Sequence, residues 1–326
     1  VQGRKAVRGA LMRATIHLVT TEDWLELRPV VGPVLTRTFG STQFAKDVAG
    51  VPLEELLAYG RTLLEEQPRT RAELHPLLSQ HWPDSEAASL AQAVTYHLPV
   101  LQVSPRGMWG KTGPARWTTT EAWLGRTTTT TGSVENLILR YLAAFGPALI
   151  ADAAAWSRLT GFREVFDRLR PQLRVFVDEK GRDLFDLPDA PRPDPDISAP
   201  VRFLPEYDNV LLSHADRSRF GADAQLFASA LGAYKGSVLV DGVVRAIWSS
   251  RLDKDTGVAT ATVHHRPLAP ADSAAVEAEV RAAVEIWHPG ADTHDVHMMP
   301  IPDRTGRGEG RDGLASTQPV RYTIEG

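Results

Sequence analysis

The 326-residue sequence predicts an α+β chain, predominantly helical, organised as tandem winged-helix motifs. Two observations carry this. An order of helix, helix, helix, hairpin is read twice, over residues 50–126 and 132–188. Each hairpin is also entered through the same Pro-x-Leu-x-Val spacing, at Pro99-Val-Leu-Gln-Val103 and at Pro171-Gln-Leu-Arg-Val175. A winged helix is a helix-turn-helix variant whose third helix usually faces a groove while the hairpin touches the backbone. Three-helix units with a hairpin also serve as protein-protein modules, so the pattern leaves both uses open.

The first element with a clear period is Met12 to Val19, where His17 alternates with apolar residues as on a strand. Pro52 then opens a helix with Leu53, Leu56, Leu57, Leu63 and Leu64 at 3–4 spacing, ending at Pro68. Thr70 starts the next, with Glu73 in capping-box register and Leu74, Leu77 and Leu78 as its apolar stripe. A third runs from about Asp84 through Ala91 and Val94 to Leu98. Leu101 and Val103 open a hairpin whose return strand is Ala115 to Thr119.

Thr127 to Thr131 reads as a linker to the second copy. There, helices are expected from Ser133 to Phe145, from Ile150 to Leu159, and after Thr160-Gly161 with Val165, Phe166 and Leu169 on one side. Leu173 to Val177, the turn Asp178 to Gly181, and Asp183 to Leu187 form its hairpin. Residues 189–202, rich in Pro and Asp, read as an extended connector. A C-terminal α+β unit, 203–300, is expected to pack on the others, with Val210-Leu-Leu212 in a buried strand, short strands around the turn Asp241-Gly242, and a helix from Pro270 to Trp287. Residues 301–326 lack apolar periodicity and read as a disordered tail.

The balance of 36 Lys and Arg against 40 Asp and Glu, net -4, argues against a protein that coats nucleic acid by bulk charge, without excluding a basic face. With no Cys there is no disulfide framework, thiolate nucleophile or Cys-held metal, and a cytoplasmic home is the default. Apolar runs such as Leu137 to Ile150 are broken by Arg140 and Pro147, too short for a membrane span. No dinucleotide fingerprint, phosphate loop or zinc-protease motif appears, so no cofactor is expected. His294-x-x-His297 beside His288 makes a poor metal site, given Pro289-Gly290 and no nearby carboxylate pattern.

Local charge is more informative. Arg106, Lys111, Arg116 and Arg126 face only Glu121 between residues 104 and 126, a net +3, and they interleave with Trp109 and Trp117. Basic residues beside tryptophan on a hairpin suit phosphate contact with stacking or insertion, although either indole would serve equally as core beneath the wing. Arg158, Arg163, Arg168, Arg170 and Arg174 against Glu164 and Asp167 give the second third-helix region +3 as well, as a binding or merely solvated face. His17 reads as a core or interface histidine. In Glu206-Tyr-Asp-Asn209, two carboxylates and an amide lie between apolar residues, either as a self-satisfied turn or aimed into a cleft.

Taken in order, Arg13-Ala-Thr-Ile-His17, Pro105-Arg-Gly-Met-Trp-Gly110, Trp117-Thr-Thr119, Leu159-Thr-Gly161 with Phe166, Phe185-Asp-Leu-Pro188, Phe203-Leu-Pro-Glu-Tyr-Asp-Asn209 and His214-Ala-Asp-Arg217 resemble the AlkZ/YcaQ-like winged-helix DNA glycosylases over about residues 4 to 300. The resemblance implies three winged-helix motifs in a C-shaped arrangement around duplex DNA, residues 1–48 being the remainder of the first unit. It implies excision of bulky or cationic N7-alkylated purines and unhooking of interstrand crosslinks made by genotoxic natural products. A monomer acting on double-stranded DNA, with Arg13, Arg106, Trp109, Lys111, Arg116, Trp117 and Arg163 at the DNA, is the expectation. The family's catalytic Gln-x-Gln, with Gln-x-Asp and His-x-Gln variants, is expected upstream of Arg4 to Val19. Gln2 is not placed to stand in for it, and Gln43 and Gln102 lie in the wrong context. Either about 40 to 60 residues precede Val1, judged from ordinary domain size, or this member is a non-catalytic DNA-binding or regulatory protein. His17, Asp208 and Asn209 are the residues expected to support the chemistry.

Overall fold

The computed structural model describes residues 1–128, 132–194, 196–221 and 235–301. Three residues of the expected 127–131 linker and all but the first of the expected tail therefore lie outside the described residues. The chain divides into two compact units, Val1–Pro188 and the stretch from Asp189 onward.

The first unit opens with a hairpin, β1 (Ala6–Ala10) and β2 (Ile16–Thr20), followed directly by α1 (Thr21–Gly40). Thr20 caps that helix by accepting from the Asp23 amide, and Glu22 and Asp23 place negative charge on its first turn. Pro29 and Pro33 lie inside it, and each removes a helical donor. The helix persists because Trp24, Leu25, Val30, Val31, Val34 and Leu35 are all buried along it. No element is predicted from sequence here; tertiary burial has overridden two apparent breakers.

Next come α2 (Gln43–Asp47), α3 (Leu53–Glu66), α4 (Arg71–His81) and α5 (Ala87–His97). The capping box expected at Thr70 is formed, with the Glu73 amide donating to Thr70 Oγ1 at 3.1 Å and the Thr70 amide to Glu73 at 2.8 Å. Helix α5 is packed by α1, α2, α3 and α4, and none of its residues is exposed. The buried Arg28 of α1 closes its C-terminus, donating from Nη2 to the carbonyls of Tyr96, His97 and Leu98. Burial lowers that guanidinium to about 10, still charged at neutral pH.

The expected hairpin follows as β3 (Val100–Gln102) and β4 (Trp117–Thr119) and joins the N-terminal hairpin in one sheet of order β2-β1-β3-β4. Strand β3 is buried on both faces: Val100 and Trp117 belong to the core formed by α3, α4 and α5, and Leu101 to a second core with Trp24, Tyr141 and Phe166. Helices α6 (Thr120–Leu124), α7 (Val134–Phe145), α8 (Ile150–Ser157) and α9 (Phe162–Leu169) complete the second core. The last three match the expected helices, and the hairpin β5 (Arg174–Val177) and β6 (Asp183–Asp186) lies where the turn chemistry placed it. Phe185 docks it on Phe166, ring centroids 4.9 Å apart.

Among the described residues the second unit holds a five-stranded sheet of order β11-β10-β9-β8-β7 with a helix packed across it. Its strands are β7 (Arg202–Leu204), β8 (Gly236–Val240), β9 (Val243–Leu252), β10 (Val258–His265) and β11 (Thr293–Pro300). Asp241 and Gly242 both take positive φ, 49° and 74°, in the two-residue turn between β8 and β9. Helix α11 (Pro270–Trp287) sets Val276, Val280 and Val284, one turn apart, against the sheet and returns the chain to β11, parallel to β10. One correction arises. Val210-Leu-Leu212 is a short helix, α10 (Asn209–Leu212), not a strand, because Asp208 caps it. His294 and His297 lie on β11, where a spacing of three puts them on opposite faces, and His294 bonds the His288 carbonyl.

Candidate nucleic-acid interface

The loop between β3 and β4 is held at its base and open at its tip. Arg106 donates from Nη1 to the Gly113 carbonyl at 2.8 Å, bracing the loop across its own width. Gly107 and Gly110 take positive φ, 82° and 66°, which turns the chain sharply enough to project the residues between them. Trp109 stands there with 71% of its surface exposed, an unusual place for the largest apolar side chain. Lys111, also exposed, has no ion pair among the described residues. An aromatic plate beside an unpaired cation can stack on a base while the ammonium meets a phosphate.

The other expected contacts of this hairpin are engaged within the protein. Trp117 is 4% exposed, packed in the core of α3, α4 and α5 with the Arg71 guanidinium 5.4 Å from its ring, the position of a structural residue. Arg116 is spent on the protein: it donates to the Pro68 carbonyl at 2.9 Å and pairs with Glu73. Arg126 makes a two-pronged pair with Glu22 at 2.6 and 2.9 Å. Glu121 in turn meets Arg61 at 3.4 Å. The net +3 of the linear segment is therefore distributed among acids from other elements, leaving Arg106 and Lys111 without an ion pair among the described residues.

Helix α5 offers no exposed side chain to a groove, whereas α9 buries Phe162, Val165, Phe166 and Leu169 and exposes the opposite face. On that face Arg163 is exposed without an ion pair among the described residues. Arg168 and Arg170 are engaged with Glu135 and Asp183.

At the tip of the N-terminal hairpin Leu11 and Met12 plug into the core, and Arg13 and Ala14 both adopt left-handed conformations, φ 58° and 57°. This arrangement costs on the order of 1–3 kcal/mol per residue. It points Arg13 back to donate to the Trp156 carbonyl at 2.7 Å, an anchoring role rather than a free phosphate contact. His17 is half-buried on the edge strand β2, 2.9 Å from the Thr15 carbonyl through Nδ1. That bond fixes the tautomer with hydrogen on Nδ1 and leaves Nε2 as an acceptor. Burial, reinforced by the charge of Arg13 and opposed by the Thr15 bond, holds the ring below the ordinary histidine range.

Asp208 and Asn209 belong to the second unit. Asp208 accepts from the Val210 amide at 2.8 Å as the cap of α10, beside an exposed Tyr207 at φ 60°. The self-satisfied turn is thus the arrangement adopted by the carboxylate.

The sequence of residues 1–286 matches the family model described as DNA glycosylase AlkZ-like. The chain belongs to the AlkZ-like DNA glycosylase family. Membership places it among DNA repair glycosylases, proteins that act on DNA. The fold agrees: the structure of Streptomyces sahachiroi DNA glycosylase AlkZ superposes with a TM-score of 0.65 at 22% identity, covering 91% of this chain and 83% of that one. No curated protein matches the sequence. Among the described residues no helix of this family member is long and apolar enough to cross a membrane.

Proposed function

We propose that the protein hydrolyses the N-glycosidic bond of N7-alkylated purines in duplex DNA, including bulky and crosslinked adducts, and that its helices and hairpins act as tandem winged-helix motifs curved around the duplex. The match of the AlkZ-like glycosylase family over residues 1–286 carries this reading. The exposed Trp109 with Lys111 on the first wing, and Arg163 on α9, supply the DNA contacts.

The chemistry asks little of the site. An N7-alkylated purine is already cationic, so it leaves without a general acid; the enzyme must position water and stabilise an oxocarbenium-like sugar. His17 suits the first task, because a ring kept neutral by burial and oriented through Nδ1 presents Nε2 to accept a proton from water. Asp208 and Asn209 would hold the DNA backbone. A bulky crosslink cannot be swung into a snug pocket, so recognition on the duplex replaces ordinary base flipping. His17→Ala, Asp208→Ala and Asn209→Ala in the full-length protein, assayed on N7-methylguanine duplex, test the supporting roles. A fall in excision with retained binding supports each, and unchanged excision removes that residue from the site.

A further inference from the structure

Beneath the first wing lies a second arginine that no ion pair explains. Arg8 of β1 is directly opposite Gln102 of β3, so both side chains rise from the same face of the sheet. Arg8 Nη1 is buried with no hydrogen-bond partner, and so is Oε1 of Gln102, a residue only 6% exposed. The wing folds down over this pair: a Cβ on Gly107 would sit 3.1 Å from Arg8 Cδ, so the loop lies close against the arginine stem. Burial, and after it the charge of Arg106, the residue before Gly107, depress the ionisation of Arg8. No carboxylate pairs with either guanidinium among the described residues. Two converging cations with an unused, desolvated donor are costly in an empty protein and become favourable once an anion with several acceptor oxygens arrives.

We propose that Arg8 and Arg106 form a clamp for one backbone phosphodiester of DNA at the base of the first wing, where Arg8 rises from the sheet opposite Gln102. This rests on the DNA-binding reading above and extends it. Bound there, the phosphate fixes the register of the loop, so that Trp109 at the tip meets the adjacent base step. Arg106 has its Nη1 already turned to the Gly113 carbonyl, which leaves the rest of the fork for the anion.

The test combines Arg8→Gln, Arg106→Gln and the double variant in the full-length protein, using fluorescence anisotropy on an undamaged duplex across a salt series. Each phosphate contact contributes a slope of about 0.9 in log K against log salt. The clamp predicts that the double variant loses about 0.9 in total, since both residues serve one phosphate. A loss of about 1.8 would mean two separate phosphates, and an unchanged slope no phosphate; either overturns the shared clamp. Thermal unfolding in inorganic phosphate against chloride at equal ionic strength separates the sources. If the wild type fails to bind DNA but phosphate raises its Tm and not that of the variants, the clamp stands for free phosphate and the DNA reading falls. If neither DNA nor phosphate distinguishes wild type from variants, the site is refuted. Should Arg8→Gln fail to fold, Arg106→Gln carries the test, with Tm in chloride expected to equal or exceed that of the wild type.

Discussion

Trp24 donates from its indole Nε1 to Thr120 Oγ1 across 2.9 Å in a fully buried bond, joining α1 to the exit of the β3–β4 hairpin. The same hydroxyl donates to the Pro99 carbonyl at 2.7 Å, so one threonine serves as both acceptor and donor between the start and the end of the hairpin. Thr120→Val removes both roles while keeping the shape, stranding an indole N–H in the core. The expected loss is about 1–3 kcal/mol, read as a lowered urea midpoint with unchanged m.

Close approach of α3 to α5 depends on a missing Cβ. A methyl at Gly60 would lie 2.6 and 2.8 Å from the two methyls of Val94. Helix propensity alone would make Gly60→Ala stabilising by roughly 0.5–1 kcal/mol, but overpacking costs about 1–3 kcal/mol and wins. A net destabilisation is expected, reversing to a gain when Gly60→Ala is made in a Val94→Ala background, measured by thermal unfolding.

The two tryptophans of the first wing separate binding from folding. Trp109→Ala is expected to leave Tm unchanged and to weaken duplex binding by about 1–3 kcal/mol, the worth of one stacked base. Trp117→Ala opens a core cavity and costs about 3–5 kcal/mol of stability. Binding isotherms and melting curves on the same preparations distinguish them; equal Tm losses would contradict the assignment.

Stability should also respond to mild acid. His97 packs edge-on to Phe39, ring centroids 5.0 Å apart, and burial together with the charge of Arg28 lowers its pKa. The unfolded chain therefore binds a proton that the folded one refuses, so this contribution is full above about pH 6.5 and is lost as pH falls below it. His17, His264 and His288 shift in the same direction, each with burial as the largest cause. Urea midpoints at pH 7.5 and 5.5 should drop toward acid, and His97→Gln should shrink the drop without abolishing it.

What could be read from sequence was local, and what could not was made by distance. The Thr70–Glu73 capping box, the Asp241-Gly242 turn and the stripes of α3 and α7 depend on neighbours within a few residues, and all are formed. The neutralising of Arg116 by Glu73 spans 43 residues and that of Arg126 by Glu22 spans 104, so charge counted along the chain overstated the wing. Trp117 was ambiguous for the same reason: alternation says which face a strand residue takes, while the helices waiting behind that face come from elsewhere. Arg8 and Gln102 carried no signal at all, since only the pairing of β1 with β3 sets them opposite each other. Strand β11 lay hidden behind Pro289-Gly290 and a polar, histidine-bearing alternation that reads weakly on a sheet edge.

Release of free base is the measurement closest to the central claim. The full-length protein, incubated with a duplex bearing a single N7-methylguanine, is expected to free the modified base and leave an abasic site that alkali converts to a strand break. It should leave the unmodified duplex intact. Salt-sensitive binding to both duplexes with no base released from either would contradict the glycosylase account and leave a DNA-binding protein without the chemistry.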